Sequence, residues 1–306
     1  MKLLVTGAVA WTKEELDLLK QLGHEVIFMQ QEKDPLPCDA EWIEGIIGNG
    51  IFLSHSLEQF TSLRYIQLTS AGFDRVPLEQ INARGIVINN ARGVYSIPMA
   101  EFAVSGVLSL YKQSRFFTAC QQKHSWEKHR GLLELFGKTV CVVGCGSVGN
   151  ECAKRFAAFG CRVTGVDLYP RNDETYATMQ SLDSLQQCVA DADVVVLTLP
   201  LTDQTYHLFD EDLFFAMKNG SVLVNIARGA VVNQAALEHA LKSKLMGAVL
   251  DVFEQEPLCC ESLLWETENV IITPHNSFVG DGNKKRLFDL IIKNLERYDE
   301  NNCSFT

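Results

Sequence analysis

The stretch Thr139–Asp167, TVCVVGCGSVGNECAKRFAAFGCRVTGVD, decides the architecture of this chain. It opens on Thr139–Val143, a short β-branched apolar run of the kind buried in a parallel sheet. Gly144-Cys145-Gly146-Ser147-Val148-Gly149 follows at once, with its glycines in the G-x-G-x-x-G spacing. Val148, Cys152, Phe156 and Phe159 then recur at helical intervals until Gly160 stops the helix, and a second apolar run finishes on Asp167. The three glycines serve different physical ends, namely a tight turn, close backbone approach to a pyrophosphate, and close packing of helix on strand. The first helical N–H groups, around Ser147 and Val148, favour bound negative charge together with the helix dipole. Asp167 lies near the ~20-residue spacing expected for an acid that accepts from a ribose hydroxyl and repels a 2′-phosphate. Leu168 and Tyr169 come next, and Arg171 is the nearest cation. A glycine turn beside a surface acid would explain the glycines alone. Strand, turn, helix, strand and acid in register predict a dinucleotide site that prefers NAD.

Outward from this stretch, β-rich apolar runs alternate with helical patterns to both ends. Upstream, strands are predicted at Leu3–Thr6, Glu25–Met29, Gly45–Gly48, Arg64–Leu68 and Ile86–Asn89, with Thr12 capping a helix that Gly23 stops. A long helical pattern covers Pro98–Gln122. Downstream strands are predicted at Asp193–Leu199, Ser221–Ile226, Gly247–Val252 and Val270–Thr273, giving the second sheet six in all, and a last helix at Asp281–Tyr298. The fold class is therefore α/β with two doubly wound parallel sheets. A Rossmann dinucleotide-binding domain, residues 98–279, is inserted into a flavodoxin-like substrate domain made of residues 1–97 and 280–306.

Bulk composition narrows the function. The 306 residues carry 38 acidic against 27 basic side chains, for a net charge of −11, and no basic run exceeds Lys284-Lys285-Arg286. That argues against a nucleic-acid surface. There is no apolar stretch of membrane-spanning length, and the N-terminus has no basic segment followed by an apolar run. The ten cysteines are scattered, without a C-x-x-C pair, and most lie in apolar runs. A reduced, cytoplasmic protein acting on small molecules is expected.

Three chemically complementary residues follow three strand ends. Asn225-Ile226-Ala227-Arg228-Gly229 comes after one, Asp251 through Glu256-Pro257 after the next, and Thr273-Pro274-His275 after the last. Arg offers a two-donor fork for a carboxylate and polarises an adjacent carbonyl. His moves a proton to or from that oxygen, and a paired Glu fixes its tautomer. Read alone, each is equally a salt-bridge partner, a loop histidine or a solvated acid. Together, beyond a dinucleotide loop, they suit hydride transfer at C2 of a 2-keto acid. His275 has no second His or Cys at ligand spacing, so no metal is expected.

With these residues, and with Thr69-Ser70-Ala71-Gly72-Phe73-Asp74 and Leu199-Pro200-Leu201-Thr202, the chain resembles the D-isomer-specific 2-hydroxyacid dehydrogenases over nearly its whole length. The resemblance implies an NAD-dependent reaction between a small 2-keto acid and its D-2-hydroxy acid. Arg228 would bind substrate, Glu256 would support the histidine, and His275 would be the acid/base. Backbone groups of Ser70, Ala71 and Gly72, with Asn49, would meet the substrate. Gly144, Gly146, Ser147, Val148, Gly149, Asp167, Thr198, Pro200, Ala227 and Asp251 would meet the cofactor side. It also implies a homodimer through the NAD domain, using the Pro98–Gln122 helix and the Trp126 loop. Thr198 stands where the family often has His, and Gly48-Asn49-Gly50 where phosphoglycerate-using relatives carry Arg. Arg92 stands where relatives often have Pro; it either meets a second acidic group of the substrate or makes a rim salt bridge, and Tyr95 either lines the pocket or packs. The competing function is an NAD-sensing, corepressor-like scaffold, against which stand the compact length and the lack of a disordered tail. A formate dehydrogenase relative is disfavoured by Glu256, since those enzymes place a Gln beside the histidine.

Overall fold

Thr12 starts helix α1 (Lys13–Gln21) through a reciprocal cap, its Oγ1 accepting from Glu15 N at 3.2 Å and Glu15 accepting from Thr12 N at 2.7 Å. In the computed structural model, which describes residues 1–303, α1 joins β1 (Lys2–Thr6) to β2 (Glu25–Met29). Beyond them come β3 (Gly45–Gly48), β4 (Tyr65–Leu68), α2 (Leu78–Ala83) and β5 (Val87–Asn89). The five strands form one parallel sheet in the order β2-β1-β3-β4-β5, the flavodoxin-like order. Alternation sends Leu4, Ile46 and Ile66 to one face, with Phe60 and Ile81, and Leu3, Val5 and Ile47 to the other. That second face is covered by Leu287, Ile291 and Leu295 of the C-terminal helix, Asn283–Cys303. The contacts divide the chain into two units, Met1–Tyr95 with the segment from Gly280, and Ser96–Val279.

The second unit opens with α3 (Ser96–Tyr111) and α4 (Ser114–Gln122). One continuous helix over Pro98–Gln122 was expected. It breaks at Gln113, whose φ of +53° is left-handed backbone that a continuing helix cannot hold. Then follow β6 (Thr139–Val143), α5 (Ser147–Ala158), β7 (Arg162–Asp167), β8 (Thr178–Ser181), α6 (Leu185–Asp191), β9 (Val194–Leu197), α7 (Glu211–Ala216), β10 (Val222–Asn225), α8 (Gln234–Ser243), β11 (Gly247–Leu250) and β12 (Val270–Ile272). The sheet is parallel, in the order β12-β11-β10-β9-β6-β7-β8. It has seven strands where six were expected. The addition is β8, a polar, half-exposed edge strand paired only with β7. It takes the outer place, so β9 lies directly against β6, and the strands carrying the three candidate residues remain neighbours.

Both faces of this sheet are buried. Cys141, Val143, Val195 and Leu223 serve one face, and Val140, Val142, Val196 and Val224 the other. Gly106 lets α3 lie on the second face, since a Cβ there would stand 2.6 Å from Val249 Cγ1. Cys141, Cys145, Cys152 and Cys161 are buried as free thiols, whereas Cys259 and Cys260 are exposed. Among the described residues no helix is long and apolar enough to cross a membrane, and no cluster of His, Cys, Asp and Glu could hold a metal ion.

Candidate active site and cofactor loop

The carboxyl end of β6 turns sharply at Gly144, with φ +97°, and a Cβ there would collide with the Leu199 backbone at 2.6 Å. Gly149 seats α5 on the strand, because a Cβ would fall 2.1 Å from Gly144 O. At Gly146, by contrast, an added Cβ meets nothing within 4 Å, and this residue caps α5 without a side-chain hydrogen bond. The open space at Gly146, beside the N-terminus of α5, fits a dinucleotide pyrophosphate. Burial pushes the Cys145 thiol up to about 11, so near neutrality it adds no negative charge beside that space. Asp167 is half-buried; its carboxylate accepts from Cys145 N at 2.7 Å and Tyr169 N at 3.0 Å, which fixes it beside the loop. Arg171 donates to Cys145 O at 2.7 Å and lies 3.8 Å from Asp173. Thr198 Oγ1 donates to Gly144 O at 2.5 Å, so the loop after β9 is tied to the glycine turn, and Pro200 O accepts from Thr205 Oγ1.

Asn225 ends β10, buried, and its side chain holds the next turn closed: Oδ1 accepts from Ala227 N at 3.1 Å and Nδ2 donates to Arg228 O at 3.1 Å. Gly229 then lies against the loop after β11. A Cβ on it would fall 1.8 Å from Phe253 C and 2.4 Å from Glu254 N. The Arg228 and Glu256 loops are thus packed backbone to backbone. Glu256 Oε1 accepts from Phe253 N at 3.1 Å, and Oε2 stands 2.8 Å from His275 Nδ1. His275 is held at φ +50°, its N donating to Asp251 O at 2.8 Å.

Asp251 supplies the fastening that the sequence reading did not assign to it. Buried to 1% exposure, its carboxylate accepts from Thr273 Oγ1 at 2.5 Å, Asn276 N at 2.7 Å and Ser277 N at 3.0 Å. Those three donors bracket His275. Asp251→Asn is therefore expected to lower kcat/KM by about tenfold or more, because an amide cannot accept at both oxygen positions and leaves a buried N–H unpaired at about 1–3 kcal/mol. Steady-state kinetics alongside NADH titration check this, and an unaltered kcat/KM would show that the loop does not depend on it. A second pair, His207 Nε2 and Glu254 Oε1 at 2.9 Å, joins the loop after β9 to the Glu256 segment.

In the first unit, the Ser70-Ala71-Gly72 loop leaves β4 with its carbonyls engaged. Ala91 N donates to Ser70 O at 2.8 Å, Asn90 Nδ2 to Ala71 O at 2.6 Å, and Ser70 Oγ to Gly72 O at 3.0 Å. Among the described residues the N–H groups of Ala71 and Gly72 have no acceptor, which suits a carboxylate or water. Tyr95 packs with its hydroxyl on Thr69 O, and Arg92 N donates to Asn90 Oδ1 at 3.2 Å. Asn49 lies on the loop after β3, where its N–H is taken by Glu32.

Comparison with known proteins places the chain in a family. Residues 104–277 match the family described as D-isomer specific 2-hydroxyacid dehydrogenase, NAD binding domain. A glyoxylate reductase of Thermofilum pendens is 34% identical over 92% of this chain and 86% of its own length. Among solved structures, the D-lactate dehydrogenase of Aquifex aeolicus, complexed with NAD and lactic acid, superposes with a TM-score of 0.78 at 25% identity, over 99% of this chain and 97% of that one. A D-isomer specific 2-hydroxyacid dehydrogenase of Xanthobacter autotrophicus, in complex with NADPH and MES, does so at 0.79 and 25%, over 98% and 95%. The chain belongs to the D-isomer-specific 2-hydroxyacid dehydrogenase family, with its two-sheet α/β fold and NAD-binding domain.

Proposed function

We propose that the chain interconverts a small 2-keto acid and its D-2-hydroxy acid with NAD, using His275 as acid/base, Glu256 as its partner and Arg228 as the substrate ligand. The 2.8 Å contact of His275 Nδ1 with Glu256 Oε2 carries this reading. An ionised carboxylate only accepts, so Nδ1 keeps the proton and Nε2 is the nitrogen that exchanges one with substrate. Arg228 pairs with the substrate carboxylate and draws charge onto the C2 oxygen, which His275 protonates during reduction and deprotonates during oxidation. Bound NAD supplies the hydride chemistry at C2. Its pyrophosphate falls to Gly146, Ser147, Val148 and the α5 amides, its adenosine ribose to Asp167, and Thr198, Pro200 and Ala227 line its side of the site. Asp251 acts by setting the 273–277 turn. The free amides of Ala71 and Gly72 take the substrate carboxylate, and Asn49, whose own N–H is held by Glu32, meets the rest of the substrate. The fixed Asp167 carboxylate supports NAD over NADP, since a 2′-phosphate would meet its charge.

The first test follows NADH and NADPH consumption against a panel of 2-keto acids, with chiral analysis of the product. Turnover of one acid with NADH to the D-isomer is expected. Tight NADH binding without turnover of any acid would instead favour a dinucleotide-sensing scaffold. The unpaired thiols among the described residues fit a reducing cytoplasm, which fractionation of the source cells checks.

The same reading makes the protein a homodimer through α3, α4 and the following loop. Trp126 is 96% exposed there, beside a hollow of about 820 Å³ lined by Phe117, Cys120 and Arg130. Light scattering should give twice the 34.2 kDa chain mass, and Trp126→Ala should raise the dimer dissociation constant by about tenfold or more. A monodisperse 34.2 kDa species for the unaltered chain would end this assignment.

A further inference from the structure

The carboxyl end of the first sheet holds an anion of the chain's own. In the order β2-β1-β3-β4-β5 the direction of sheet growth reverses between β1 and β3, and open α/β sheets bind ligands outside the strand ends at such a reversal. Thr6 ends β1, and Gly48-Asn49-Gly50 leaves β3. Glu32, on the loop after β2, spans the two. Its Oε1 accepts from Thr6 Oγ1 at 2.7 Å and from Asn49 N at 2.7 Å, and its Oε2 accepts from Gly50 N at 2.7 Å. Gly48 permits the approach, because a Cβ there would stand 2.6 Å from Glu32 Oε1. Consecutive amides and a hydroxyl converging on one point make an anion-binding nest. Here the occupant is covalently attached. Among the described residues Glu32 has no ion pair, although an added Cβ on Gly50 would stand 3.9 Å from Arg75 Cδ. Close by, Asn49 Oδ1 is buried with no hydrogen-bond partner among the described residues.

We infer that Glu32 makes this crevice select against a second negative charge on the substrate, so that monoanionic 2-keto acids are taken and dicarboxylate or phosphorylated ones rejected. The inference rests on the proposed function and on its assignment of Asn49 to the substrate. Two effects act in the same direction. The amides a phosphate or second carboxylate would use are already bonded, and the fixed charge repels an incoming one. Like charges several ångströms apart in a protein environment cost enough to change affinity by about tenfold or more. Substitution by the neutral isostere removes the repulsion and weakens the amides' hold on their occupant.

The experiment measures kcat and KM with NADH for two matched pairs, pyruvate with oxaloacetate and hydroxypyruvate with 3-phosphohydroxypyruvate, in the unaltered enzyme and in Glu32→Gln. The unaltered enzyme is expected to prefer the monoanion of each pair by about 100-fold or more in kcat/KM. Glu32→Gln should cut that preference by about tenfold or more, chiefly through the KM of the dianion. Raising ionic strength on the unaltered enzyme gives a second reading that needs no folded variant: screening should lower the KM of the dianion relative to the monoanion. An equal change for both members of a pair in Glu32→Gln would make Glu32 a loop brace and overturn the inference. So would an unaltered enzyme that prefers the dianion. No turnover of any acid overturns the proposed function itself, and this inference with it.

Discussion

His275→Ala is expected to lower kcat/KM for the best 2-keto acid by about 10²–10⁴-fold, while NADH binds with an unaltered dissociation constant. The loss follows from removing the Nε2 acid/base, whose ring Glu256 holds through Nδ1 at 2.8 Å on the rim beyond β12. NADH affinity is spared because the glycine loop and Asp167 are braced by their own contacts, Gly144 N to Val166 O and Cys145 N to Asp167. The backbone complicates the choice of variant, since φ is +50° at this position and Ala enters that region at a cost. His275→Asn is the companion, because Asn tolerates left-handed backbone and cannot act as an acid near neutrality. Both variants should be equally inert. An Asn variant that keeps turnover within about threefold of the unaltered enzyme would remove the histidine from the chemistry. Loss of NADH binding in either would give it a structural role instead.

Gly229→Ala is expected to destabilise the second unit by about 3 kcal/mol and to cost about 100-fold or more in kcat/KM. The added Cβ would sit 1.8 Å from Phe253 C and 1.9 Å from Phe253 O, and backbone cannot step aside as a side chain does. Relief requires the Arg228 and Glu256 loops to move apart. The Asn225 clamp on one side and the Phe253 N–Glu256 contact on the other resist that movement. Denaturant unfolding measures the first effect, and steady-state kinetics on the folded fraction the second. A midpoint within error of the unaltered protein would mean that the two loops are not locked at Gly229.

The parts of the fold that could be read in advance were those written into short stretches of chain. The glycine loop, its acid and the strand-end triad each lie within a few residues of a strand whose apolar run is unmistakable, as at Thr139–Val143. Strand β8 escaped because Thr178–Ser181 lies at the sheet edge, half-exposed, and so needs little apolar surface to hold its place. The break at Gln113 escaped because neither Gly nor Pro marks it; only its φ does. Asp251 could be singled out, but not its role, since the amides it holds belong to a turn that only the fold brings back to it. Glu32 gave no signal either, as its partners are backbone N–H groups present in every loop. Asn49 was marked for the substrate; the carboxylate already seated on its N–H emerges only in three dimensions.

The arrangement of the thiols gives the folded chain a chemical clock. Cys141, Cys145 and Cys152 are fully enclosed in the second unit, and burial pushes the Cys152 thiol up to about 12, so a thiol reagent finds neither access nor thiolate. Cys259 and Cys260 are open to it from the start. Labelling therefore proceeds in two epochs, an immediate one at the surface pair and a delayed one whose rate counts how often the interior opens. A tightly bound dinucleotide lengthens the second epoch and leaves the first alone, so mass spectrometry of the labelled chain weighs ligand affinity without any turnover.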